Sequence, residues 1–220
     1  MEQQFQYYAF ISYKREDEKW AKWLQDRLRW YKLPSKLCRQ ITRLPKKVWP
    51  VFRDNTDLDS GRLEENIRHE LERSHYLIVI CSPEAARSPW VGKEVKYFAT
   101  LHGADKIIPF VVSGIPYSND IETECIHEQI KAISQEELLA INVREEGIGS
   151  FAMKKKRAFI RVVARLLDIK FNTLWQPYER ILRIRKWSTG IGVVLFLFVL
   201  FILWDYYRTK NEYFADYVDR

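Results

Sequence analysis

Between Tyr7 and Asp168, short runs of β-branched and aromatic residues alternate with stretches whose apolar residues recur at helical spacing. Few architectures can bury such a pattern. YYAFIS (Tyr7–Ser12) has the composition of a buried strand, and Trp20, Trp23, Leu24, Leu28 and Tyr31 then repeat at i, i+3, i+4, i+8 and i+11, one face of a helix. VWPVF (Val48–Phe52) predicts a second strand, at a sheet edge because Pro50 has no N–H for a central ladder. A polar loop leads from it to a helix expected over about Leu63–Arg73. HYLIVICS (His75–Ser82) is the most apolar strand. Ser88 and Pro89 then supply N-cap and first-turn residues for a helix to about Leu101. KIIPFVV (Lys106–Val112) and LLAINV (Leu138–Val143) complete five strands, and a helix over Met153–Leu167 closes the unit. Strands alternating with helices predict an α/β fold, a mostly parallel sheet covered on both faces. Ligands of such sheets gather at the carboxyl ends of the strands, here after Ser12, Phe52, Ser82 and Val112.

A second feature sits near the C-terminus. From Ile191 to Leu203 twelve of thirteen residues are Ile, Val, Leu or Phe, and the uncharged run Trp187–Trp204 is 18 residues long. As a helix it would extend about 27 Å, close to the ~30 Å of a hydrocarbon core. Trp187, Trp204, Tyr206 and Tyr207 flank it with rings suited to the headgroup level. The expected organisation is therefore a folded domain over 1–170, a basic amphipathic juxtamembrane segment over 171–186, a transmembrane helix over 187–207, and residues 208–220 as a short extracytoplasmic tail or the start of a further domain. Residues 172–186 carry Arg180, Arg183, Arg185 and Lys186, whereas 205–219 carry Arg208 and Lys210. That asymmetry predicts a single-pass protein of the cell membrane with its N-terminal domain in the cytoplasm. The first residues show no signal-peptide pattern.

Charge and cysteine content narrow the chemistry. Lys and Arg number 36 against 29 Asp and Glu, a net +7 that a lipid surface accounts for. No basic patch interleaved with exposed aromatics is evident, so nucleic acid is not an expected partner. Cys38, Cys81 and Cys125 are odd in number without C-x-x-C spacing, and the four histidines form no ligand pair, which leaves neither a disulfide framework nor a metal site. No Gly-rich turn joins a strand to a helix, and no G-x-S-x-G is present, excluding a dinucleotide fingerprint, a P-loop and a hydrolase elbow. The strand ends offer instead Ser12, Tyr13, Arg53, Asp54, Asp57, Ser82, Ser88 and Glu94.

At these residues the chain resembles a TIR (Toll/interleukin receptor) domain. YYAFISYKRED resembles the family's first box, FRDNTDLDSGRLEENI its loop and helix after the second strand, and VICSPEAARSPWVGKEV its third strand and following helix, with the W-x-x-x-E pattern at Trp90 to Glu94. The resemblance implies a flavodoxin-like sheet and one of two functions. In one, the domain cleaves the nicotinamide–ribose bond of NAD+, by hydrolysis or cyclisation, in defence or cell-death signalling, as many bacterial-type members do. In the other it is a non-catalytic scaffold assembling through TIR–TIR contacts.

Under the first reading Glu94 is the catalytic carboxylate, because cleaving an N-glycosidic bond develops oxocarbenium charge that one carboxylate can stabilise. Nicotinamide leaves a cationic ring as a neutral base, so no second acid is needed. NAD+ is then substrate, and no resident cofactor is expected. The resemblance also carries Phe10 and Ser12 to the nicotinamide end, Phe10 being equally suited to the core. Ser88 stands near the catalytic Glu or only caps its helix, and Trp90 walls the pocket or packs the helix. Arg53 and Asp54 pair with each other, hold the adenine or phosphates, or serve docking. Expected partners are NAD+, further copies or other TIR domains, and the lipid bilayer.

Overall fold

The computed structural model describes residues 5–41, 44–45, 47–53, 61–133, 139–144, 150–176, 194–204 and 206–208. The chain divides into two compact units, Met1–Phe171 and Asn172–Arg220. In the first unit the strands β1 (Tyr7–Ser12), β2 (Val51–Arg53), β3 (Ser74–Cys81), β4 (Ile107–Val111) and β5 (Ile141–Asn142) form one sheet in the order β2-β1-β3-β4-β5. All four pairings are parallel. This is the flavodoxin-like order, whose topological switch point lies between β1 and β3. The helices are α1 (Glu18–Trp30), α2 (Ser35–Gln40), α3 (Gly61–Glu72), α4 (Pro83–Ala86), α5 (Pro89–His102), α6 (Glu128–Ile133) and α7 (Phe151–Leu166).

Register sorts the core into two faces. Phe10 pairs with Leu77, Ser12 with Val79, and Cys81 with Val111. These residues share one face because side chains alternate along a strand. Phe10, Leu77, Val79 and Cys81 pack there with Ile67 and Leu71 of α3, Val91, Val95 and Phe98 of α5, and Ile130 of α6. On the other face Trp23 of α1 stacks on Phe110 and meets Phe159 of α7 edge-on. The aromatic stripe of α1 is thus core packing. Burial on both faces is why β3 reads as an uninterrupted apolar run.

Some boundaries differ from expectation. β2 begins at Val51, not Val48, since Pro50 lacks the N–H to extend the ladder, although its carbonyl still accepts from the Tyr8 N–H at 2.7 Å. It lies at the sheet edge, as Pro50 predicts. β5 shrinks to Ile141–Asn142, and Leu139 is 83% exposed, so an apolar run there was not a strand throughout. Helices α2, α4 and α6 are short pieces that periodicity did not reveal.

The spanning helix expected over 187–207 is not found: among the described residues no helix is long and apolar enough to cross a membrane. Residues 187–193 and 205 of that stretch lie outside the described residues. Residues 194–204 are helical, and their large apolar side chains stand exposed, from 46% at Leu200 to 66% at Val194.

Three histidines tie stability to pH. Burial is the largest influence on His75, His102 and His127, and it lowers each below the ordinary 6.5. The unfolded chain therefore takes up protons first as pH falls through 6.5, and folded-state stability drops from there downward. Asp17 is shifted the other way, its burial raising it above 3.8, so it opposes this trend only where its folded carboxyl takes up a proton. The expected result is a lower urea midpoint at pH 5.5 than at pH 7.5. An unchanged midpoint would show that the imidazoles are hydrated in the folded state.

Candidate active site

Helix α5 carries the family-like pattern because its capping chemistry is explicit. Ser88 is extended (φ −81°, ψ 113°), and its side-chain oxygen accepts from the Val91 N–H at 3.5 Å, while Pro89 occupies the first turn. The helix then buries Val91, Glu94, Val95 and Phe98 against the sheet. A carboxylate in that company is unusual, and burial without a partner would be costly. The Ser12 hydroxyl, at the end of β1, donates to Glu94 Oε2 at 2.5 Å, and Glu94 is only 5% exposed. The two residues are 82 apart in sequence. They meet because Ser12 faces α5 at the carboxyl edge beside the switch point.

Glu94 lines a cleft of about 330 Å³ between α3 and α5, with Ile67, Leu71, Trp90, Lys93 and Tyr97. That volume falls at the small end of ligand pockets. Trp90 is half-buried and Lys93 lies over its ring, 5.6 Å from the centroid. Trp90 thus both walls the cleft and packs against the core.

The other expected site residues are placed differently. Phe10 is fully buried one pleat below Ser12 and stacks on Phe52 at 5.2 Å, as part of the core. Arg53 pairs with Ile11 in register and so points to the opposite face from Ser12. Its Nε donates to Gln25 Oε1 at 3.1 Å and its Nη1 to the Tyr13 hydroxyl at 3.0 Å, with Glu18 at 3.4 Å. The guanidinium joins β2 to α1 and is not brought to Glu94. Asp54 and Asp57 lie outside the described residues. Ser88 caps α5, and its carbonyl also receives His127 Nε2 at 3.1 Å.

Two features escaped the sequence reading. A second buried acid stands at the same sheet edge: the Ser82 hydroxyl donates to Asp17 Oδ2 at 2.5 Å and accepts from the Ala85 N–H at 3.1 Å. Asp17 precedes α1, on the α1 side of the sheet, so it joins the β1–α1 and β3–α4 turns across the face opposite Glu94. Its position just ahead of a helix offered only the signal of an ordinary first-turn acid. The second feature is His127. Its Nδ1 accepts from the Gln129 N–H at 3.0 Å, which leaves Nε2 protonated as donor to Ser88, and the ring lies against Gly92. A glycine inside an amphipathic helix was the available signal.

NAD(+) hydrolase ApTIR from Actinoplanes sp. (strain ATCC 31044 / CBS 674.73 / SE50/110) is 36% identical over 110 residues, 49% of this chain. The chain spans only 14% of the length of that relative. The TIR domains in the structure of the activated Roq1 resistosome directly recognizing the pathogen effector XopQ cover 70% of this chain and 98% of theirs, at a TM-score of 0.45 and 14% identity. The family model described as TIR domain matches residues 9–146, well over half of the chain, from β1 through β5. This chain belongs to the TIR domain family.

Proposed function

We propose that the protein is an NAD+ nucleosidase that breaks the nicotinamide–ribose bond at Glu94. The observation that carries the reading is the buried Glu94 carboxylate, held by the Ser12 hydroxyl and lining a cleft beside the switch point. The relative named as an NAD(+) hydrolase supports it. In the proposed reaction the C–N bond breaks with its electron pair leaving on nicotinamide. That neutralises the pyridinium and leaves oxocarbenium charge on the ribose. The fixed carboxylate stabilises this charge in a partly dry site, where such an interaction is worth far more than in water. Water then adds to the ribose and releases one proton, giving ADP-ribose; attack by an adenine nitrogen instead would give a cyclic product.

The test is release of nicotinamide from NAD+ by the full chain, followed by chromatography, with the second product naming the reaction. Ser12→Ala should lower kcat about 10- to 100-fold with the fold retained, as expected for loss of a hydrogen bond to a charged group. Equal turnover by this variant would remove Ser12 from the machinery.

The wider setting belongs to the same proposal. The exposed apolar helix over 194–204 and the excess of Lys and Arg over 172–186 favour a membrane anchor with the TIR domain cytoplasmic. Membership of the TIR family is what supports TIR–TIR self-association in defence or cell-death signalling. Deleting 187–207 should move the protein from the membrane fraction to the supernatant. Retention on membranes after the deletion would argue against the anchor.

A further inference from the structure

The cleft sorts its charges by depth. Trp90, Lys93, Glu94, Tyr97 and Thr100 follow one stripe of α5, and Arg68 faces them from α3 with Ile67 and Leu71 as an apolar floor. Glu94 is buried, whereas Arg68, Lys93 and Lys96 are exposed at the rim. Two of these cations rest on aromatic faces on either side of Glu94. Lys93 lies over Trp90 at 5.6 Å and Arg68 over Tyr97 at 5.4 Å, and Tyr97 is fixed in turn by its hydroxyl donating to Glu72 at 2.5 Å. Lys96 and Tyr97 lie less than one helical turn from Glu94, a rise of about 3–5 Å.

We infer that Arg68 and Lys96 read the diphosphate of a dinucleotide bound in this cleft, and so set a preference for nicotinamide dinucleotide over smaller substrates with the same scissile bond. The inference rests on the reading of Glu94 as the reacting centre. Only a ligand whose cation goes inward and whose anions stay at the rim matches this order of charges; an anion at the bottom would face a carboxylate. A pyridinium joined through one ribose to a diphosphate has that arrangement. The phosphates remain partly hydrated at the rim, so binding them costs little desolvation. For the same reason each exposed contact contributes modestly. The Tyr97 ring holds Arg68 in place before the ligand arrives, which limits the ordering cost of that contact.

The experiment compares NAD+, nicotinamide mononucleotide and nicotinamide riboside, which carry a diphosphate, a monophosphate and no phosphate on the same ribosyl–nicotinamide bond. With the full chain, kcat/KM should fall along that series. In Arg68→Gln/Lys96→Gln it should fall about tenfold for NAD+, mainly through KM, and stay within twofold for the riboside; Lys96→Arg should retain the preference. High salt should weaken NAD+ turnover more than riboside turnover. An equal loss on all three substrates, or no loss on NAD+, overturns the inference while leaving Glu94 in place. Loss of self-association with an unchanged substrate ratio overturns it too, by assigning the cations to a second copy of the chain. If the wild-type chain releases no nicotinamide from any of them, the nucleosidase reading fails, and titration with ADP against adenosine decides the inference alone. Binding of ADP but not adenosine, lost in the double variant, supports the anion site; equal binding of both, or of neither, overturns it.

Discussion

Glu94→Gln should abolish most nicotinamide release from NAD+ while the chain stays folded. The amide keeps nearly the same shape, so α5 stays packed on the sheet through Val95 and Phe98 and the cleft keeps its walls. What changes is charge. The Ser12 hydroxyl can still donate to the amide oxygen at the position where it now meets Oε2. A neutral group, however, cannot balance the positive charge that develops on the ribose. Losing one preorganised electrostatic contact of this kind costs about 10²–10³ in kcat, or roughly 3–4 kcal/mol. The measurement is single-turnover nicotinamide release, with the urea midpoint recorded alongside. Full turnover by the variant would exclude a nucleosidase centred here and transfer weight to the scaffold reading.

Gly92→Ala should destabilise the domain, although alanine is the better helix former by about 1 kcal/mol. A Cβ at Gly92 would lie 2.5 Å from His127 Cε1 and 2.7 Å from Nε2. The imidazole cannot simply swing aside, because Nδ1 accepts from the Gln129 N–H and Nε2 donates to the Ser88 carbonyl. Moving it breaks both bonds, at the start of α6 and at the cap of α5. The expected loss is about 1–3 kcal/mol in a urea titration, the usual range for overpacking. Activity should fall as well, since Trp90 and Glu94 ride on the displaced turn. His127→Ala should make the Gly92→Ala substitution nearly harmless, a strongly non-additive pair. A stabilised Gly92→Ala single variant would show that the ring is free to move.

Local chemistry made much of this fold legible in advance. Helix α1 was marked by the spacing of its apolar residues, and α5 by Ser88 and Pro89 at its start. The central strands announced themselves because parallel strands are buried on both faces, as β3 is from Tyr76 to Cys81. The edge strands were less clear: with fewer neighbours they depend on partners as much as on composition, and β5 pairs over only two residues. Glu94 was singled out by resemblance, at the end of the W-x-x-x-E pattern, and the fold brings it to the Ser12 hydroxyl.

Arg53 was legible only as a polar residue at a strand end. Which face it served depended on register, and a shift of one residue would have reversed the answer. Pairing with Ile11 commits it to α1 and Tyr13. Asp17 and His127 were invisible for a related reason, since their partners lie 65 and 39 residues away.

By itself, then, the sequence determined the parallel α/β architecture, because strand burial, helical periodicity and capping are written in neighbouring residues, while its three motif segments carried only the resemblance to the family. Only the tertiary structure decided that Ser12 holds Glu94, that Arg53 turns away from it, and that the cations gather at the rim of its cleft. Those outcomes follow from register and helix packing, which bring together groups that no local pattern relates.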